Sequence, residues 1–152
     1  MSLRIVAVGK KHESWVVEGI ERYQKRLKAL FLVEWVLMAH SPYDGDRARQ
    51  EESERILSGI SAHAFVVVLD ERGKTLDSLQ FAKTLEEQLD RSVDIVVIIG
   101  GAYGVDDRLR NRAQLVWSLS PLVFPHQLVR LILIEQLYRA QQITIGGQYH
   151  HK

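Results

Sequence analysis

Short runs of β-branched and aliphatic residues alternate along this chain with longer stretches whose apolar residues recur every three or four positions, and no other feature constrains the fold as much. The runs fall at residues 3–8, 31–38, 64–69, 93–99 and 115–118, with a weaker one at 143–145. Several lack the in-and-out alternation of a sheet with one wet face, as expected where helices cover both faces of a parallel sheet. Strand, helix, strand in repeated order predicts an α/β fold with a parallel, doubly wound sheet. The 152 residues, 46% hydrophobic, suffice for one sizeable core, and no repeat or composition shift marks a boundary. Residues 1–152 are therefore expected to form a single domain.

The intervening stretches read as helices of different kinds. Val16, Ile20, Tyr23, Leu27 and Leu30 make one apolar stripe opposite Glu21, Lys25, Arg26 and Lys28. Asp77 and Gln80 have the spacing of a capping box ahead of Ala82, Leu85 and Leu89. Residues 40–46 are polar and turn-rich, and are expected to form a mobile loop entering a solvated helix over 47–60. The stretch over 131–140 differs, because its apolar positions go nearly all the way round the cylinder. Such a helix is buried on more than one side, inside the domain or in a subunit interface, with Arg130, Glu135 and Arg139 as polar exceptions. At least one of the two arginines is expected to complement the helix dipole or pair with Glu135.

Composition excludes several classes. There is no cysteine, hence no disulfide scaffold, thiolate nucleophile or sulfur-ligated zinc site, and no metal is expected. The first apolar run is too short for a secretory signal, and no segment approaches the roughly 20 apolar residues of a membrane span. A soluble, cytoplasmic protein without membrane contact is expected. Twenty Lys+Arg against nineteen Asp+Glu give a formal net charge of +1, so any nucleic-acid contact has to come from a local patch. Lys10, Lys11 and His12 read as a solvated strand end that could add to such a patch.

The run from Val96 to Ile99 leads into Gly100-Gly101-Ala102-Tyr103-Gly104, a glycine turn where backbone can approach a ligand at the carboxyl end of a strand. The dinucleotide fingerprint would follow the first strand, yet that strand ends in Gly9-Lys10-Lys11-His12 without spaced glycines. A Gly-x-x-x-x-Gly-Lys-Ser/Thr loop is absent, and Lys10-Lys11 stand where a phosphoacceptor receiver needs carboxylates.

The last third is more specific. It carries Ile99-Gly100-Gly101, Ser118-Leu119-Ser120, Pro125-His126, Leu128-Val129-Arg130, Glu135-Gln136-Leu137-Tyr138-Arg139-Ala140 and Tyr149-His150, in that order. Pro125 suits a first helical turn, so the loop before it is expected to be rigid. In these motifs the chain resembles the RlmH family of SPOUT methyltransferases, over essentially its whole length. The resemblance implies a sheet whose C-terminal segment threads a loop to make a trefoil knot, and a homodimer. It implies S-adenosylmethionine held in bent form at Leu69, Gly101, Pro121, Leu122, Val123, Phe124, Pro125 and His126. The implied reaction is methyl transfer to N3 of a pseudouridine in 23S ribosomal RNA within the ribosome. The rival readings are a non-catalytic ribosome-associated protein of the same fold and a SPOUT enzyme acting on tRNA.

A sulfonium methyl is already activated, so the reaction needs dry, in-line positioning and loss of the N3 proton. His150 is then the candidate base, Arg139 the group that binds phosphate or stabilises developing charge, and Tyr149 the platform for an extruded base. The tail is expected to reach a partner subunit's pocket. Without the resemblance, His126 would read as a packed or capping histidine and His150 as part of a frayed terminus. Three departures from the family pattern stand out: Val123 where threonine is frequent, Ala102-Tyr103 where proline and an acidic residue are usual, and His151 where a basic residue follows, with Lys152 as its substitute.

Overall fold

The computed structural model describes residues 2–151, so Lys152 lies outside the described residues. Five parallel strands form one sheet in the order β2-β1-β4-β3-β5. They are β1 (Leu3–Val8), β2 (Val33–Met38), β3 (Phe65–Thr75), β4 (Ile95–Ile99) and β5 (Leu115–Ser118). The helices are α1 (Ser14–Gln24), α2 (Gly45–Ser58), α3 (Ser78–Asp90), α4 (Asp107–Arg112) and α5 (His126–Thr144).

Strand periodicity sorts the core into two layers. Leu3, Ile5, Ala7, Val67, Ile95 and Val97 pack with Val16 and Ile20 of α1, Phe81 and Leu85 of α3, and Leu133 and Leu137 of α5. The alternate residues Val6, Val8, Val66, Val68, Val96 and Ile98 pack with Ile56 of α2 and Leu109 of α4. Both faces are covered, which is why the central strands read as unbroken apolar runs.

Several boundaries depart from the sequence reading. The apolar stripe of α1 stops at Gln24; Leu27 is buried beyond the helix, while Leu30 is exposed in a 3-10 turn (Ala29–Phe31). Helix α2 begins at Gly45 and buries Ala48, Glu52, Ser53 and Ile56, so it is not solvated all round. The run at 143–145 is no strand: it lies at the end of α5, with Ile145 as the C-cap. Pro125 sits at the N-cap, just outside the first turn. The capping box of α3 is present, with Gln80 N donating to Asp77 Oδ1 at 2.8 Å and Asp77 N to Gln80 Oε1 at 2.9 Å. Strand β3 runs past Leu69, where the apolar pattern ends. Its pairing with β5 skips from Leu69 to Lys74, so residues 70–73 are looped out of the ladder.

The arginines of α5 divide their roles. Arg139 Nε donates to Glu135 Oε1 at 2.8 Å, the pairing expected for one of the two. Arg130 instead is fully buried and holds the end of β1. Its Nη2 donates to the carbonyls of Val8 and Gly9 at 3.1 Å, and its Nη1 to that of Lys11 at 3.0 Å. Nη1 also lies 3.2 Å from His12 Nδ1. Gly9 makes room for the fork, since at φ 121° a Cβ would lie 2.9 Å from Nη2. Removing the guanidinium strands three carbonyl acceptors. Arg130→Met is therefore expected to lower stability in urea unfolding by about 3–5 kcal/mol, and Arg130→Lys to recover less than half of that, because an ammonium cannot reproduce the planar fork. An unchanged midpoint for Arg130→Met would show the clamp to be dispensable.

Candidate functional site

The loop bulging from β3 and the loops that leave the carboxyl ends of β4 and β5 enclose a cavity of about 570 Å³, within the usual range for small-molecule sites. This is the end of an open α/β sheet where ligands bind. Leu69 to Arg72 supply one wall, Ile99 to Val105 a second, and Trp117, Leu119, Ser120 and Leu122 to Gln127 a third; Glu13 and Trp15 close the rim.

Each loop is held by its own hydrogen bonds. In the β5 loop, Ser118 Oγ donates to the Ser120 carbonyl at 2.9 Å and Leu122 N donates to Ser120 Oγ at 3.0 Å. The two serines of Ser-Leu-Ser thus bend the chain and leave Leu122 and Val123 exposed. In the β3 loop, Asp70 accepts from Arg72 through N at 2.9 Å, Nε at 3.1 Å and Nη2 at 3.0 Å. Burial works against the charge on Asp70, yet these bonds, with the nearby Arg72 and Arg110 charges, hold its carboxyl below the usual range. Arg110 reaches Asp70 Oδ2 at 3.4 Å and the Val105 carbonyl at 2.7 Å, tying the β3 loop to the β4 loop. In the β4 loop, Gly104 N donates to the Gly101 carbonyl at 3.0 Å. A Cβ at Gly101 would lie 2.9 Å from Glu52 Oε1 and 3.1 Å from Val8 Cγ1, so a side chain there would run into the protein behind the loop.

The lining carries three carboxylates, on Glu13, Asp70 and Glu71, against the one guanidinium of Arg72. Burial, with the Coulombic influence of His40 and Arg130, holds His126 below the ordinary histidine range, which favours the neutral imidazole. The walls combine apolar area with a negative rim, which suits a partly aromatic ligand that carries positive charge. Among the described residues there is no cluster of three or more His, Cys, Asp or Glu able to hold a metal, and no helix long and apolar enough to cross a membrane.

Leu69, Gly101, Leu122, Val123, Phe124, Pro125 and His126 all line this cavity; Pro121 belongs to the same loop but does not line it. His126 is thus a wall residue. Arg139, Tyr149 and His150 form a separate cluster, none of them in the lining. Arg139 Nη1 lies 3.0 Å from His150 Nδ1, and its guanidinium carbon 4.7 Å from the centre of the Tyr149 ring. Tyr149 meets Tyr138 edge-on at 4.8 Å, and its hydroxyl is pushed up to about 12 by burial and a hydrogen bond with Tyr23. The tail therefore packs on α5 of its own chain. Because arginine only donates, His150 Nδ1 is an acceptor here and the neutral ring carries its proton on Nε2. In this arrangement the Nδ1 lone pair is engaged and Nε2 carries the N–H.

Sequence reasoning missed Glu13, Trp15, Asp70, Glu71, Arg72 and Trp117 as lining residues. Trp117 reads as an ordinary strand residue and is stacked on Phe81 at 4.1 Å. Of the first wall, the sequence reading names Leu69 alone.

A family described as Predicted SPOUT methyltransferase matches residues 1–150. The chain is 40% identical over 158 residues to the Ribosomal RNA large subunit methyltransferase H of Desulfitobacterium hafniense (strain DSM 10664 / DCB-2), covering 99% of each chain. It is 41% identical over 149 residues to the protein of the same name from Prochlorococcus marinus (strain MIT 9313), covering 98% of this chain and 96% of that one. Among solved structures, the SpoU methyltransferase AviRb from Streptomyces viridochromogenes in complex with AdoMet aligns with a TM-score of 0.49 and 15% identity. That alignment covers 97% of this chain and 59% of the AviRb chain. With an ordered match over nearly its whole length, the chain belongs to the SPOUT methyltransferase family.

Proposed function

We propose that this chain transfers the methyl group of S-adenosylmethionine to N3 of a pseudouridine in large-subunit ribosomal RNA, acting on assembled ribosomes in the cytoplasm. The observation that carries the reading is the three-loop cavity, apolar within and negative at the rim, in a chain that matches ribosomal RNA methyltransferases end to end. S-adenosylmethionine, when bound, supplies a positively charged sulfonium whose methyl is already activated for transfer. Leu69, Leu122, Val123 and Phe124 offer apolar surface for the adenosine, and the Gly100-Gly101 backbone gives close approach. Glu13, Asp70 and Glu71 favour the cationic end, and a neutral His126 adds no opposing charge. Threading of the C-terminal segment into a trefoil knot belongs to the same proposal, supported by the meeting of all three loops at one cavity.

Attack through N3 requires loss of its proton, which passes to solvent water and leaves negative charge on N3 and the flanking carbonyl oxygens. Arg139, and the Nε2 N–H of His150, are suited to stabilise that charge, while Tyr149 gives the base an aromatic surface. Since these residues lie outside the cavity of their own chain, we assign their action to the cavity of a second copy in a homodimer. The seat for that copy is the groove of about 460 Å³ between α1 and α5, which runs from Trp15 to Glu135.

Labelled S-adenosylmethionine incubated with unmodified ribosomes is expected to mark large-subunit RNA; label in tRNA with ribosomes unmarked would overturn the assignment. In that assay His150→Ala should slow transfer roughly 100-fold while donor affinity stays within about twofold, and an unchanged rate would take His150 out of the reaction. Gly101→Leu should displace the β4 loop from Glu52 and Val8, lowering both melting temperature and donor affinity, the latter by roughly 100-fold or more. Undiminished affinity in calorimetry would place the donor elsewhere.

A further inference from the structure

We propose that residues 9–15, the loop leaving β1 together with the first turn of α1, grip the RNA substrate, with Lys10 and Lys11 taking backbone phosphates and the indole of Trp15 stacking on the base brought to the cavity. The inference rests on the ribosomal RNA reading above and assigns residues of this chain to the grip.

Trp15 lines the cavity and is 56% exposed. Its Nε1 donates to Glu13 Oε2 at 2.5 Å, so the polar edge of the ring is satisfied and its orientation held while more than half of the residue stays exposed. Such a face accepts any nucleobase, and stacking needs no further hydrogen-bond donor. Lys10 and Lys11 are exposed, and neither has a carboxylate within ion-pair distance among the described residues. Of the arginines near the cavity, Arg72 is paired with Asp70, Arg108 with Asp106 and Glu54, and Arg110 with Asp107 and Asp70, while Arg130 is buried beneath the loop. Unspent positive charge therefore sits on the stretch whose Glu13 and Trp15 close the rim, in a chain whose net charge of +1 gives it no general attraction for a polyanion.

The loop is also held from within. Arg130 takes the carbonyls of Gly9 and Lys11, and Gln127 accepts from Glu13 N at 2.9 Å. With its backbone pinned to the start of α5, the loop turns both lysines to solvent. The same start of α5 follows directly on the cavity wall, so the wall and the phosphate grip form one unit.

Trp15 also borders the α1/α5 groove, so the test separates stacking from subunit contact. Co-sedimentation with ribosomes at rising salt, methyl incorporation, calorimetry with S-adenosylmethionine and light scattering are run on the full chain. K10A/K11A is expected to weaken ribosome binding ~10-fold and to reduce the salt slope by about two counterions. W15A is expected to cut methyl transfer roughly 10- to 100-fold, with W15F recovering most of it, at unchanged oligomeric state and donor affinity within about twofold. Unaltered ribosome binding and salt slope in K10A/K11A would overturn the phosphate assignment. A W15A protein that loses its oligomeric state, or its donor affinity in step with its rate, would overturn the stacking role. Lysine-dependent ribosome binding by a wild-type chain that transfers no methyl would sink the reaction proposed above and leave the phosphate grip standing.

Discussion

The bond on which this architecture turns is the fork of Arg130 over the exit of β1. Residues about 120 positions apart in sequence meet there, and the contact brings the start of α5 to an inner strand of the sheet. A guanidinium in such a place is costly, and the strand end takes up both of its terminal nitrogens, while the buried Nε has no partner among the described residues. Carbonyls that would continue a ladder have no strand left to pair with, and Gly9 turns at positive φ to present its own. Once α5 is anchored, the segment between Ser118 and His126 has both ends fixed. It bends through its two serines and becomes a wall rather than a free loop.

The other two walls are held by charge. Asp70 is the centre, drawing in Arg72 from its own loop and Arg110 from α4, and Arg110 in turn takes the Val105 carbonyl. That network links the β3 loop and the loop after β4 at the mouth of the cavity, where a cation can still feel Asp70, Glu71 and Glu13. Its worth lies in geometry more than in energy, since Arg72 is exposed and exposed ion pairs contribute little to stability. Looping out residues 70–73 frees this stretch from the ladder with β5 and gives the network its place.

Much of the fold was legible because burial on both faces of the sheet leaves a strong imprint on sequence. Leu3 to Val8 and Ile95 to Ile99 could hardly be anything but central strands, and Asp77 with Gln80 announces a helix start by local chemistry alone. What escaped were features set by tertiary contact. Ile143 to Ile145 has strand-like composition, but continuity with α5 and packing of Ile143 on the core decide its conformation. Helix α4 has a charged sequence of six residues and only Leu109 buried, so it carries no periodicity to read. In the site, the glycine turn and the Pro-His loop were visible as motifs. The carboxylates at the rim were not, because nothing in Glu13 or Glu71 distinguishes them from solvated surface until the loops are brought together. For Arg130 the sequence offers two partners, a helix end and Glu135, and the structure supplies a third, the backbone of β1.

The separation of Arg139, Tyr149 and His150 from the cavity has a geometric consequence. Helices α1 and α5 run side by side in the same direction, as Glu13 meeting Gln127, Gly19 approaching Leu131 and Arg26 meeting Gln141 together require. The groove between them therefore has a cavity end, at Trp15 and Leu128, and a tail end, at Tyr23 and Glu135. A second copy seated there about a two-fold axis perpendicular to the groove must lie with its ends exchanged, since an isologous contact pairs each end with the other. The tail end of one chain then stands against the cavity end of its mate, and the reverse holds on the other side. Two copies of a chain in which the cluster proposed to stabilise the anion lies apart from the cavity would in this way make two whole sites, without either tail leaving its own α5. That arrangement also accounts for the nearly all-round apolar character of α5: one side faces the sheet, α3 and α1, and the side that borders the groove is left for the partner in the proposed pair.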